Sequence, residues 1–166
     1  MRIIGIMLLL LVLFVKCGNE EQVETVSATP DEMGEVIFDA LVKDDAATIR
    51  KFIAAEIDIN EIVDKSNLSE KKKEKKKKKL LKKTAFLQDD LAKQIAKIKK
   101  QNINWENTIF DWVDYKNFEK DSVTGADIII VFSEDKVQYE IKLKECYQTQ
   151  RGWVFIEGIS FKGRRK

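Results

Sequence analysis

The residue type with the clearest chemical capability in this 166-residue chain is lysine, concentrated in one run. Positions 71 to 79 read KKKEKKKKK, and lysines also occupy positions 82 and 83. Ammonium groups at this density attract anionic lipid headgroups, polyanionic glycans or acidic proteins through a Coulomb force that salt screens. The candidate contact residues are Lys71, Lys72, Lys73, Lys75, Lys76, Lys77, Lys78, Lys79, Lys82 and Lys83.

A second interpretation of the lysine run is structural, and we favour it at this stage. Five consecutive lysines, 75 to 79, cover every side of a helix, so the stretch is expected to be solvated. Acidic residues elsewhere in the chain would then balance its charge. The run has no interleaved aromatic residues for base stacking, and therefore nucleic acid is a disfavoured partner.

Residues for catalysis and metal binding are sparse. The chain has no histidine, which removes the commonest general base and the commonest metal ligand. The two cysteines, Cys17 and Cys146, are too few for a disulfide framework or a thiolate zinc site. We therefore expect no metal and no cofactor, and we read Cys146 as a buried structural thiol. Strict alternation puts it on the side of Lys142 and Lys144 unless a bulge intervenes.

Two other sets of residues invite a functional reading. Asp111 and Asp114 suggest paired carboxylates, but an odd spacing on a strand sends them to opposite faces. Three tryptophans could line a ligand pocket in a concave sheet, although packing in a core or at its rim explains them as well. They are Trp105, Trp112 and Trp153.

The charge balance is neutral overall and segregated along the chain. Removal of residues 1–16 leaves 28 basic and 28 acidic side chains, which argues against a general nucleic-acid binder. Residues 20–64 hold 13 acids and 3 bases, whereas residues 65–100 hold 15 bases and 4 acids. The two segments can therefore pair with each other, or the basic one can face an outside partner.

The N-terminus is organised as an export signal. Arg2 precedes an apolar run of 13 residues, 3–15, which is short for a membrane-spanning helix. Cys17 follows directly, and this arrangement resembles a bacterial lipoprotein signal, although Lys16 stands where that family normally has a small residue. The resemblance implies that Cys17 carries a lipid, and Gly18 after it favours the outer membrane. An uncleaved or differently cleaved signal is the alternative.

The rest of the chain predicts helices followed by strands. Thr29-Pro30-Asp31-Glu32 is a helix start, with a helix from about 30 to 43. Asp44 or Asp45 caps the next helix, Asp58 opens a short turn, and a long helix covers about 67 to 100. Strands are predicted over 103–118, 127–133, 137–144 and 153–162, the third with clear alternation of apolar and polar residues.

This order predicts an α+β fold in which N-terminal helices pack on a curved antiparallel sheet of about four strands. It resembles the nuclear-transport-factor-2-like or cystatin-like (cone-shaped) superfamily over roughly residues 30–162. The segments that carry the resemblance are IFDALVKDDAATIRKFI and KVQYEIKLKECYQTQRGWVFIEGI. No catalytic residue is carried over, because enzymes of that superfamily often pair an acid with a histidine.

The domain organisation expected is a signal peptide at 1–16, a lipidated Cys17 with a flexible tether at 17–29, and one domain at 30–166. The leading hypothesis is an envelope protein, lipid-anchored outside the cytoplasm, whose domain is a non-enzymatic module binding a ligand or partner. The first alternative is an enzyme with a lone carboxylate in a concave pocket. The second is an electrostatic tether through the helix 71–83.

Overall fold

A computed structural model describes residues 25–165 as four helices followed by four antiparallel strands. The predicted α+β class, the order of elements and the number of strands are confirmed. Cys17, the signal peptide and most of the predicted tether lie outside the described residues.

A side-chain cap marks the start of the first two of the four helices. The four are α1 (Pro30–Val42), α2 (Ala46–Lys51), α3 (Glu56–Asp64) and α4 (Glu70–Lys99). Thr29 accepts a hydrogen bond from the backbone N–H of Glu32, which is the first bond of the predicted capping box. The Glu32 carboxylate accepts its bond from the N–H of Ala28, one residue before the N-cap, and not from Thr29 itself. Asp45 caps α2 as Thr29 caps α1, through the N–H of Thr48. Asp58 lies inside α3 and accepts from the N–H of Ala55.

The sheet is a simple meander in the order β1-β2-β3-β4. Its strands are β1 (Ile109–Lys120), β2 (Val123–Glu134), β3 (Val137–Thr149) and β4 (Gly152–Arg164). The first predicted strand starts late, because Trp105–Asn107 form a short 3-10 helix. Since the strands alternate in direction, the β1–β2 and β3–β4 turns lie at the same end of the sheet, which we call the upper end.

Two apolar clusters hold the layers together. The larger cluster joins α1, α2 and α4 to one face of the sheet through residues such as Ile37, Leu91 and Phe132. The smaller cluster joins α3 and Leu80 of α4 to Val154 and Ile156. These two β4 residues flank Phe155, which belongs to the larger cluster, so they lie on the opposite face of the strand.

A bulge in β3 decides where Cys146 points. The register between β2 and β3 shifts beside Asp127, where Lys144 and Glu145 of β3 together oppose this one residue, and Glu145 has a φ of 50°. This extra residue restores Cys146 to the inner face, where its side chain is fully buried in the larger cluster. Burial raises the pKa of the thiol well above its usual range. Cys146 is therefore the buried structural thiol that the sequence predicts.

The upper half of the free edge of β4 is covered by the chain itself. The N–H of Trp153 donates to the carbonyl of Ser27 (3.1 Å), and that of Val26 donates to Arg151 (2.7 Å). Residues 26–27 are thus part of the folded domain, so the predicted tether ends before residue 29. The attachment brings the start of the described chain to the upper end of the sheet.

Candidate functional site

The lysine run forms the N-terminal half of α4, and the fold divides it into two sides. On the side facing the domain, Lys76 lies 3.0 Å from Asp121 and Lys77 lies 3.0 Å from Glu56. Lys83 lies 2.6 Å from Glu145 and 2.7 Å from Glu157. The inner lysines therefore fasten α4 to α3 and to the sheet.

The expectation that the whole run is solvated is wrong on this inner side. The side chain of Lys76 is only 11% exposed, because its aliphatic stem is covered while its ammonium group meets Asp121. Its acidic partner comes from the β1–β2 turn, far from it in sequence. Of the acidic segment 20–64, Glu56 and Asp44 each pair with a lysine of α4. The predicted pairing of the two charged segments is thus confirmed in part.

Among the candidate lysines between positions 71 and 83, those on the outer side have no ion-pair partner within residues 25–165, and all of them are exposed. They fall within about 100° of the helix circumference at 3.6 residues per turn. We call them the lysine row, which consists of Lys71, Lys72, Lys75, Lys79 and Lys82. Of the remaining candidates, Lys73 and Lys78 pair with glutamates of their own helix.

Between the row and the sheet lies a groove of about 270 Å³, here called the lysine groove. Its apolar surface comes from two leucines, and its polar lining is dominated by ammonium groups. The lining residues are Leu68, Lys72, Lys75, Lys76, Lys79, Leu80, Lys83, Lys120, Asp121 and Glu145. Six cations against two carboxylates favour an anionic occupant.

The Lys76 ammonium nitrogen has unused donor capacity in this groove. An ammonium group carries three N–H donors. The nitrogen is buried and, apart from its ion pair with Asp121, makes no hydrogen bond of good geometry within the described residues. An oxygen of a bound anion would supply a partner.

Ion pairs set the charge of the residues at the groove's edge. Burial raises the pKa of Glu145, but hydrogen bonds from Lys120 and Lys83 outweigh it, and the pKa is lower than usual. Burial lowers the pKa of Lys83, but its bonds to Glu145 and Glu157 outweigh it and the pKa is raised. These groups consequently stay charged around neutral pH.

The row and the start of the described chain lie at the same end of the sheet. Asn67, just before α4, donates its N–H to the carbonyl of Asp121 in the β1–β2 turn. Val26 bonds to Arg151 in the β3–β4 turn. Both turns lie at the upper end of the sheet, so the N-terminal segment and the start of α4, where the lysine row begins, lie at the same end of the domain.

The structure does not bring the three tryptophans together. Trp105 is buried and stacks on Phe132 with ring centroids 5.4 Å apart. Trp112 lies on the outer face under the guanidinium group of Arg165, 5.2 Å from its ring centroid. Trp153 is part-buried against the larger cluster at the start of β4. No common pocket is formed by their side chains.

The expectation that Asp111 and Asp114 face opposite ways is wrong. A bulge between Phe110 and Trp112 shifts the register of β1. As a result Asp111 contacts Ser133 (3.1 Å), while Asp114 contacts Arg165 (2.6 Å), which also reaches Glu140. These partners lie on the outer face, so both carboxylates do too, each held by its own partner.

Sequence reasoning missed three charged members of the groove, namely Lys120, Asp121 and Glu145. These residues belong to the sheet and its β1–β2 turn, so strand pairing brings them beside α4. The one local sign of the β3 bulge in the sequence was that Cys146, in KLKEC, breaks the alternation of apolar and polar residues. Within residues 25–165, no group of acidic or cysteine side chains is arranged to hold a metal ion. Nor does any helix in that range have the length and apolarity to cross a membrane.

Comparison of the chain with protein-family models, with curated proteins and with solved structures finds no match. The resemblance to the nuclear-transport-factor-2-like or cystatin-like superfamily therefore stays a prediction.

Proposed function

We propose that the protein is an exported, lipid-anchored envelope protein whose domain is a non-enzymatic binding module for an anionic membrane surface. The observation that carries this proposal is the position of the lysine row. It is free of ion-pair partners within the described chain and lies at the end of the sheet where the tether enters the domain. A lipid on Cys17 would bring that end to the bilayer.

The dimensions of the row suit a flat anionic surface. From Lys71 to Lys82 the helix advances about 16 Å at 1.5 Å per residue. Each lysine close to an anionic leaflet contributes about 1 kcal/mol of attraction. A lipid chain combined with a basic patch gives a durable attachment where a single chain gives a reversible one.

Repulsion between charges within α4 also favours contact of the lysine row with an anionic surface. The row places like charges four residues apart, as in Lys71–Lys75–Lys79, which destabilises a helix by about 0.2–0.5 kcal/mol per pair. The lysines also lie in the half of α4 nearest the positive end of the helix dipole. Anionic headgroups would relieve both repulsions.

The enzymatic alternative finds less support. It needs a carboxylate in the concavity of the sheet, but apolar side chains of α1 and α4 fill that face. Among the described residues, Asp58 is the one buried carboxylate. It is paired with Arg151 (2.7 Å) and accepts a hydrogen bond from Thr149 (2.8 Å), which is a structural arrangement.

Vesicle binding without the lipid tests the role of the row. The chain 17–166 with Cys17→Ser contains every described element and should bind vesicles of phosphatidylcholine with about one-third phosphatidylglycerol. Glutamine at the five row positions should weaken binding more than about tenfold, because five attractive charges are lost. Molar salt should have the same effect on the parent chain.

The matched control replaces five exposed lysines elsewhere with glutamine, so that it has the same net charge as the row variant. These are Lys93, Lys97, Lys100, Lys136 and Lys162. Retained binding by this control supports the row as the contact surface. Equal binding by the row variant and the control variant would exclude it.

The anchor has a separate test, the intact mass of the protein from a membrane fraction. A mass of residues 17–166 plus acyl groups is expected. The mass of the full chain, or of an unmodified fragment, would refute lipidation at Cys17 without affecting the vesicle result.

A further inference from the structure

A second groove lies at the lower half of β4, between that strand and the C-terminal half of α4. Its volume is about 660 Å³, and it is open to solvent. Helix residues form one wall and the strand edge forms the other. Its lining includes Asp90, Gln94, Lys97 and Ile98 of α4, Lys144 of β3, and Phe161 and Lys162 of β4.

The wall formed by β4 is an incompletely covered sheet edge. At the upper half, Phe155 donates its N–H to Phe52 (2.9 Å) and accepts from Ala54 (3.0 Å), alongside the bond from Trp153 to Ser27. Within residues 25–165, this backbone cover stops after Phe155. The groove therefore begins where the chain's own cover ends.

A side chain takes the place of a neighbouring strand at the next position. The N–H of Ile159 donates to the side-chain oxygen of Gln94 at 2.9 Å. Gly158 permits this approach, because a Cβ there would lie 2.7 Å from the same oxygen. The backbone N–H of Phe161, two residues further along β4, points to the same edge. It has no backbone hydrogen-bond partner across that edge in the described chain.

The groove's side chains define the chemistry of an occupant. Lys97, Lys144 and Lys162 have no ion-pair partner among residues 25–165. The two acidic lining residues, Asp90 and Glu157, pair with Lys93 and Lys83. Phe161, which is partly buried, adds apolar surface. An extended segment with alternating acidic and apolar residues matches this lining, since its side chains alternate between two faces.

We propose that this α4–β4 groove binds an extended acidic segment of a partner protein, which adds to the edge of β4 as a further strand. Main-chain hydrogen bonds to β4 supply affinity, and the three lysines supply selectivity for acidic side chains. The groove lies toward the lower end of the sheet, away from the lysine row. It stays accessible while the row contacts a membrane, and it does not depend on that contact.

The test uses the full chain in uncharged maltoside micelles and a fluorescent peptide of about eight alternating Glu and Val residues, long enough to follow residues 157–163. Anisotropy should report saturable binding. Glutamine at Lys97, Lys144 and Lys162 should weaken it about tenfold or more, whereas glutamine at Lys72, Lys75 and Lys79 should leave it within about twofold. Thermal unfolding of both variants verifies folding.

A second arm separates strand addition from charge attraction. The same peptide with N-methyl groups on alternate residues keeps its charge but loses the donors that β4 would accept. It should bind at least about tenfold more weakly, and the unmodified peptide should slow exchange of the Phe161 amide. Equal binding of the methylated peptide, equal loss in both lysine variants, or no saturable binding would overturn the proposal.

Discussion

The ammonium nitrogen of Lys83 lies 2.6 Å from a carboxylate oxygen of Glu145, the residue that forms the bulge in β3. The same nitrogen reaches Glu157 of β4, and Lys120 of β1 binds Glu145 from the other side. One carboxylate thus joins the long helix to two strands. The inner lysines of α4 therefore stabilise the fold, whereas the lysine row takes no part in these ion pairs.

Acid should weaken the fold through Glu145. Its pKa is lowered in the folded state from an ordinary value of 4.5, so the unfolded chain binds more protons below that value. The stabilisation is complete above pH 4.5 and is lost as the pH falls through the lowered pKa. Urea unfolding at a series of pH values should show the free energy of unfolding falling across this window.

Replacing Glu145 with glutamine isolates the contribution of its carboxylate to the pH dependence of unfolding. Glu145→Gln should unfold with a shallower dependence on pH in the same window. The control is Glu119→Gln, an exposed glutamate of β1 that has no ion-pair partner in the described chain. A parental slope in the Glu145 variant would contradict the assignment.

The buried ion pair between Asp58 and Arg151 predicts a strong destabilisation when one partner is removed. Arg151→Met should cost about 3–5 kcal/mol of unfolding free energy, because it leaves the Asp58 carboxylate buried without its cation. The double variant with Asp58→Asn should recover part of that loss. Chemical denaturation measures both, and a cost under about 1 kcal/mol for the single variant would be inconsistent with the pair as described.

Gly152 is required by the docked N-terminal segment. Its φ is +102°, and a Cβ at this position would lie only 1.7 Å from the backbone oxygen of Ser27. Gly152→Ala should therefore release residues 26–27 from β4 and lower stability by about 1–3 kcal/mol. Faster amide exchange at Trp153, whose N–H bonds to Ser27, is the specific readout. Unchanged protection at Trp153 would show that the segment tolerates the extra atom.

Local patterns in the sequence were enough to predict the elements. The capping residues Thr29 and Asp45 placed the first two helices, and apolar spacing placed α4 within three residues at its start. Alternation of apolar and polar residues placed β3. These signals depend only on residues close together in the sequence, and they can therefore be recognised without a structure.

The sequence did not show which lysines of α4 face the domain and which face away from it. Which lysines face inward depends on Asp121 and Glu145, which reach α4 through sheet pairing, and the sequence does not state that pairing. The bulges at Asp111 and Glu145 each reverse the face of the following residues. In an isolated helix, lysines lie on every side. Only the ion pairs that some of them make with other parts of the fold distinguish the inner lysines from the lysine row.

Fluorescence quenching tests the orientation at the membrane most directly. In the chain 17–166 with Cys17→Ser, a fluorophore is attached at Lys79→Cys in the row or at Lys162→Cys in the α4–β4 groove. Cys146 is buried and should not react. On anionic vesicles carrying nitroxide-labelled headgroups, we expect strong quenching at position 79 and little at position 162. Equal quenching, or stronger quenching at 162, would contradict a domain that rests on the bilayer through its lysine row.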